Sequence, residues 1–247
     1  MQRGLAASRV ALRPNLSLLL QDDIRNATLI SRRYSVNPQQ KGLEMFGSAF
    51  AACLMGLNPV DKRPLLISAE ALSGQIPGRK HFHGYHAAPA LMAAVVKALR
   101  HKFGQTVPIR IWFSTRQPGG WMKSVYYQNV RTARVTEGFD SYARKLEQAS
   151  RLDDIVQSTR DMLQGEADVR STRLEDSADL TLGLMGLALK QLRVDTNGVK
   201  PPSKQNAQVA EVLEQLLDMN RSSLSDEDLS VAKNDFLHAV RKSGEYA

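Results

Sequence analysis

Four short apolar runs, Leu16–Leu20, Pro64–Ala69, Val107–Thr115 and Ala167–Leu174, punctuate a chain whose remaining segments mostly carry helical spacing. Strand, helix and strand in alternation is the pattern of parallel βαβ units, because a parallel neighbour is reached only through a crossover. The expected fold is α/β, with a mostly parallel sheet flanked by helices. A chain of 247 residues can bury one sizeable core, so residues 1–247 read as a single domain.

The helical stretches frame those strands. Residues 1–13 place Leu5, Arg9 and Leu12 at helical spacing before Pro14-Asn15 breaks the pattern. Gly42–Leu57 is too densely apolar for a one-faced helix and reads as buried, closed by Asn58-Pro59. Pro89–Phe103 aligns Leu91, Ala94, Val95 and Leu99 on one face, and Pro118–Arg131 opens with a proline whose missing N–H costs nothing there. Further helices are expected over Phe139–Ala149, Asp153–Leu163 and a stretch ending at Leu192. A C-terminal pair follows, Lys204–Met219 and Asp226–Val240, the second capped by Ser225 with Asp228 three residues on. Ser35–Lys41, Gly74–Tyr85 and Asp195–Ser203 read as loops.

A formal charge of +8 and a pI near 9.7 favour an anionic partner: a nucleotide, an acidic glycan, nucleic acid or a membrane surface. The basic residues do not gather into one block interleaved with aromatics. One anion pocket on a mildly basic surface is therefore favoured over a nucleic-acid groove. Cys53 is the sole cysteine, which excludes an intrachain disulfide and suits a reducing compartment. No apolar run reaches the roughly 18 residues of a membrane span, and the expected location is cytoplasmic. Six arginines in the first 35 residues resemble a mitochondrial transit peptide, against which Asp22, Asp23 and the strand at Leu16–Leu20 stand.

Chemistry concentrates in one segment. Arg116 closes an apolar strand, and Ser124 follows eight residues later on the next helix. A guanidinium at a strand's carboxyl end and a hydroxyl two turns into the following helix suit a tetrahedral oxyanion, at the edge where open α/β sheets bind ligands. With Pro118, Tyr126 and Tyr127, the segment resembles the 3′-phosphate-binding strand and helix of the sulfotransferases that use 3′-phosphoadenosine-5′-phosphosulfate (PAPS). Val169–Asp176 and the helix after it are similar to that family's strand and acidic pair. The likeness runs from about residue 64 to 220.

The resemblance implies a three-layer P-loop-type sheet and transfer of a sulfuryl group from PAPS to a hydroxyl or amine, for instance on a glycan. It implies that Arg116 and Ser124 hold the 3′-phosphate, with Lys200 and Lys204 as a loose match to a basic flap over the nucleotide. The family's Lys-Ser/Thr-Gly-Thr-Thr loop, which grips the phosphosulfate, has no counterpart. Residues 1–13 instead resemble the helix that follows that loop, so the fold is expected with its first strand and loop missing. Turnover by these residues alone is therefore in doubt, and the alternative is a non-catalytic protein that binds a nucleotide phosphate or keeps only the scaffold. A kinase-like reading suffers from the lack of any Walker lysine.

Glu70, after the second strand, is the candidate base; pairing with a neighbour such as Arg79 explains it equally well. His81, His83 and His86 form a His-x-His loop without an evident fourth ligand, so no metal is expected, and one of them could be an alternative base. Arg131, seven residues after Ser124, either extends the anion site or makes a surface pair. Trp121 reads as core or pocket wall.

Overall fold

The computed structural model describes residues 1–79, 82, 84–201 and 210–243. In chain order it contains α1 (Gln2–Ala7), α2 (Arg9–Leu12), β1 (Ser17–Leu20), α3 (Arg25–Val36), α4 (Gln40–Cys53), β2 (Leu65–Ser68), α5 (Ala88–Phe103) and β3 (Arg110–Thr115). Then come α6 (Pro118–Thr132), α7 (Phe139–Lys145), α8 (Leu152–Leu163), β4 (Asp168–Arg173), α9 (Gly183–Gln191), α10 (Ala210–Arg221) and α11 (Asp226–Ser243). These group into two units. Unit 1 is Met1–Gln75, Tyr85–Arg116 and Leu152–Ser203; unit 2 is Ile76–Gly84, Gln117–Arg151 and Lys204–Ala247.

Unit 1 is mixed α/β, and its strands are parallel as expected. Among the described residues they form two two-stranded pairs. β1 pairs with β2, Ser17 opposite Leu65, and β3 with β4, Arg110 opposite Asp168. Alternation along β1 and β2 splits their side chains between two cores. Leu19 and Ile67 join a cluster with α3, α4, α5 and α8, which also takes Ile111, Phe113 and Val169 from the other pair. Leu18, Leu20 and Leu66 join a second cluster with α1, α2 and α9 through Leu5, Leu12, Met185 and Leu189.

The amino ends of β3 and β4 are tied by one side chain. Arg100, in the last turn of α5, donates to the carbonyls of Gln105 (2.5 Å), Val107 and Glu166 (2.6 Å). Across the pair Arg110 Nε donates to Asp168 at 2.7 Å, and within β4 Arg170 Nε donates to the same carboxylate at 3.0 Å. The hydrogen bonds from Arg170 and Arg110 hold that carboxyl below its usual range.

Two helical expectations are corrected here. Residues 1–13 are not one helix: the run breaks at Ser8, a buried residue whose hydroxyl accepts the N–H of Lys200. Ser35 belongs to α3 and not to a loop, and only Asn37–Gln39 separates α3 from α4. α3 buries Ala27, Thr28, Ser31 and Ser35, and the hydroxyls are absorbed by backbone. Thr28 donates to Arg25 O, Ser35 to Arg32 O, and Ser31 to the carbonyls of Thr28 and Ala71.

Among its described residues unit 2 is helical apart from an isolated antiparallel bridge between Arg79 and Phe82. α6 buries Trp121, Val125, Tyr126, Asn129 and Val130, and it packs on α7 and α10. Ser225 caps α11 as expected: its Oγ accepts the N–H of Asp228 at 3.1 Å and donates to the Asp228 carboxylate at 2.7 Å. No helix among the described residues is long and apolar enough to cross a membrane.

Candidate functional site

Arg116 follows β3 directly, at the carboxyl end of a parallel strand in unit 1. It is half-buried and makes no hydrogen bond or ion pair among the described residues. Its neighbour Thr115 is 4% exposed, and the Thr115 hydroxyl is buried without a hydrogen-bond partner. An orphaned buried hydroxyl costs about 1–3 kcal/mol, so such groups mark places where a further partner is accommodated. Sequence reasoning missed Thr115, because alternation along β3 marks its position only as inward-facing.

The chain turns at Gln117 into α6, with Pro118 at its first position. Ser124 lies in the second turn of α6, in unit 2, half-buried and with its hydroxyl uncommitted among the described residues. Tyr126 turns away to structural work. Its hydroxyl donates to Glu137 O at 2.8 Å, and its ring packs on Phe139 and Tyr142. Arg131 donates to Gln128 one turn back at 3.0 Å, and Trp121 is buried.

Glu70 opens a 3-10 turn, Glu70–Ser73, just after β2. It is exposed and forms no ion pair among the described residues. Arg79, the neighbour considered for it, donates instead to Asn129 (2.7 Å) and Thr132 (2.5 Å). Lys200 is exposed, with its backbone on Ser8; Lys204, His81 and His83 lie outside the described residues. His86 is exposed, and no group of three or more His, Cys, Asp or Glu among the described residues could hold a metal. Cys53 donates to Ala49 O, and burial pushes its thiol pKa up.

A buried polar cluster in unit 2 was not anticipated. Asn129 donates from Nδ2 to Pro77 O (2.7 Å) and to the Tyr142 hydroxyl (2.6 Å). Gly78, at φ +88°, lies so close that a Cβ there would sit 1.9 Å from the Tyr142 hydroxyl oxygen. Burial pushes the Tyr142 pKa up to about 12. At the same carboxyl end of α6, Lys233 donates to Val130 O (2.7 Å) and Ala133 O (2.9 Å), and Asn220 to Val130 O and Val135 O. Burial, helped by the charge of Arg134, lowers the Lys233 pKa to about 8. The donors of Asn129, Asn220 and Lys233 serve carbonyls at helix and loop ends, and the Tyr142 hydroxyl accepts from Asn129, so the cluster fastens these chain ends.

The chain was compared with known proteins in three ways, and no family model, curated protein or solved structure matches it.

Proposed function

We propose that this chain is a sulfotransferase-like, nucleotide-binding protein of the PAPS-dependent type, built on a three-layer P-loop-like sheet. One observation carries the reading: an uncommitted guanidinium, Arg116, at the carboxyl end of a parallel strand, beside the buried and unpartnered hydroxyl of Thr115. Arg116 supplies the planar fork for the 3′-phosphate. Ser124, and Lys200 and Lys204 beyond it, take their roles from the sequence resemblance alone.

In the transfer itself an acceptor oxygen or nitrogen attacks sulfur, and the bond from sulfur to the 5′-phosphate oxygen breaks in line. Glu70 receives the acceptor proton, and adenosine 3′,5′-bisphosphate leaves. That step needs donors around the phosphosulfate, and no stretch of the 247 residues has the matching Lys-Ser/Thr-Gly-Thr-Thr pattern. The sequence therefore favours a second reading for these residues alone: binding of a nucleotide phosphate without turnover. Both readings fit a cytoplasmic protein with a nucleotide partner and a hydroxyl or amine acceptor, for instance on a glycan.

Calorimetric titration with adenosine 3′,5′-bisphosphate tests the shared part. Saturable binding is expected, weakened about tenfold or more by Arg116→Ala and less by Ser124→Ala, as for loss of a charge-assisted against a neutral hydrogen bond. No binding, or equal binding by parent and Arg116→Ala, overturns the assignment. Sulfuryl transfer from PAPS by residues 1–247 would decide for the enzyme over the binding protein.

A further inference from the structure

The strands β3 and β4 both end in a cation. Arg116 follows β3 directly, and Arg173 is the last residue of β4. Register sets Thr115 opposite Arg173, and the bond from Leu174 N–H to Thr115 O, at 2.9 Å, closes the pair there. Side chains two residues apart on a strand share a face. Ile111, Phe113 and Val169 belong to the apolar core that α5 and α8 also build, so Thr115 and Arg173 carry that face on to the carboxyl edge. Arg116, one residue past the strand, lies at the same edge. All these groups belong to unit 1.

Helix α8 packs on β3 and β4, and its first turn carries Asp153 and Asp154. Arg173 Nη2 donates to Asp153 Oδ2 at 3.4 Å, and the two side chains are 50% and 66% exposed. A well-made charge-assisted bond is about 2.7–2.9 Å long. This one is stretched and open to water, and exposed pairs of that kind hold weakly. Neither residue has another side-chain partner among the described residues. Thr115 is the converse, a deeply buried hydroxyl with no partner among the described residues. A loosely held guanidinium thus neighbours an unsatisfied hydroxyl across the strand pair. Asp153 serves the arginine and leaves the threonine unserved. A tetrahedral oxyanion has oxygens enough to accept from both.

We infer that Arg173 is a second cationic arm of the anion site at Arg116, and that Asp153 is an internal competitor which an incoming phosphate displaces. The inference rests on the nucleotide-phosphate reading and deepens it. Binding is an exchange: Arg173 leaves a carboxylate of its own chain for the ligand, and the Thr115 hydroxyl gains the partner it lacks. The exchange also selects by charge. A phosphate monoester carries about two negative charges near neutral pH and outbids a single carboxylate. A monoanionic ligand offers Arg173 no more charge than Asp153 already does. Asp153 therefore holds the affinity below what two free arginines would give, and it does so without touching the ligand.

The test is calorimetric titration of the full chain with adenosine 3′,5′-bisphosphate, for the parent, Arg173→Gln, Asp153→Asn, Asp154→Asn and the Asp153→Asn/Arg173→Gln double variant. All three positions are exposed, so the variants are expected to fold. Arg173→Gln is expected to weaken binding about tenfold, as for a lost charge-assisted bond. Asp153→Asn is expected to tighten it about threefold, the worth of an exposed pair. Asp154→Asn removes the same charge one residue away without freeing Arg173, and it is expected to change affinity less. The double variant is expected to bind as Arg173→Gln does. Equal tightening by the two aspartate variants, or tightening that persists without Arg173, overturns the inference, since Asp153 would then be only background charge. So does unchanged binding by Arg173→Gln or Asp153→Asn; if Arg116→Ala still weakens binding, the nucleotide reading survives that result. A parent that does not bind overturns both.

Discussion

The two units solve the burial problem by opposite means. In unit 1 helices close an apolar core while the strands stay half-exposed, and polar side chains mostly tie chain ends at the rim, as Arg100 does for β3 and β4. In unit 2 polar side chains reach inside. Asn129, Tyr142, Asn220 and Lys233 are all buried, and their N–H donors and the Tyr142 hydroxyl are spent on carbonyls and on each other, with the Asn220 Oδ1 left unpartnered among the described residues. An apolar core tolerates an unfilled neighbour at a graded cost. A buried polar cluster does not, since each lost partner leaves an unsatisfied group behind. Unit 2 is therefore expected to be the more brittle to single changes, and unit 1 the more forgiving at its strands.

The sharpest challenge to that contrast is Gly78→Val. The positive φ and the 1.9 Å approach to the Tyr142 hydroxyl leave no room for a Cβ, and displacing Tyr142 also breaks its bond to Asn129. A loss of about 4 kcal/mol or more is expected in denaturant unfolding; a loss under about 1 kcal/mol would show that the cluster is loose. Next comes a pair within unit 1. Leu91→Ala, at a fully buried helix position, is expected to cost about 2–5 kcal/mol, and Ile67→Ala, at a half-buried strand position, less than half as much. Equal costs would mean that the strands are as well enclosed as the helices.

Lys233 sharpens the comparison through pH. Unfolded, its amine keeps the proton to about 10.5; folded, it loses it near 8. Between those values the unfolded chain binds more protons, so the lysine's contribution to stability rises with pH across that window. Tyr142 acts in the opposite sense. Its folded pKa of about 12 lies above the ordinary 10, so the folded state holds the extra proton and stability falls as pH climbs from 10 to 12. Unfolding measured from pH 7 to 11 should show the rise above pH 8 in the parent and lose it in Lys233→Met, which is itself expected to cost about 1–3 kcal/mol at pH 7 through the abandoned carbonyls. The smallest effect belongs to Ser225→Ala, about 1 kcal/mol from the lost α11 cap in the same assay.

How much of this was legible beforehand follows from what each element buries. Leu16–Leu20 and Val107–Thr115 announce themselves, because strands that feed an apolar core are written in apolar residues. α3 was hidden for the converse reason. Its inward face is Ala27, Thr28, Ser31 and Ser35, so hydrophobic periodicity is absent and the arginines on the other face dominate. Asn129 and Lys233 were illegible too: polar residues in a helix read as solvent-facing, and their partners Pro77 and Val130 lie 52 and 103 residues away. Of the candidate site, Arg116 could be placed because a strand end is a local feature. The orphaned hydroxyl of Thr115 and the division of the strands into two pairs depend on long-range packing, which spacing along a chain does not encode.

Ser35 and Gly74 meet where the segment after β2 lies on α3: the seryl oxygen accepts the N–H of Gln75 at 2.8 Å, and a methyl group on Gly74 would come within 2.7 Å of the Ser35 Cβ. Neither partner can grow while the other stays, so descendants of this chain are free to alter the pair only in concert. The path that carries the chain away from Glu70 after its strand is thereby inherited as a two-residue lock.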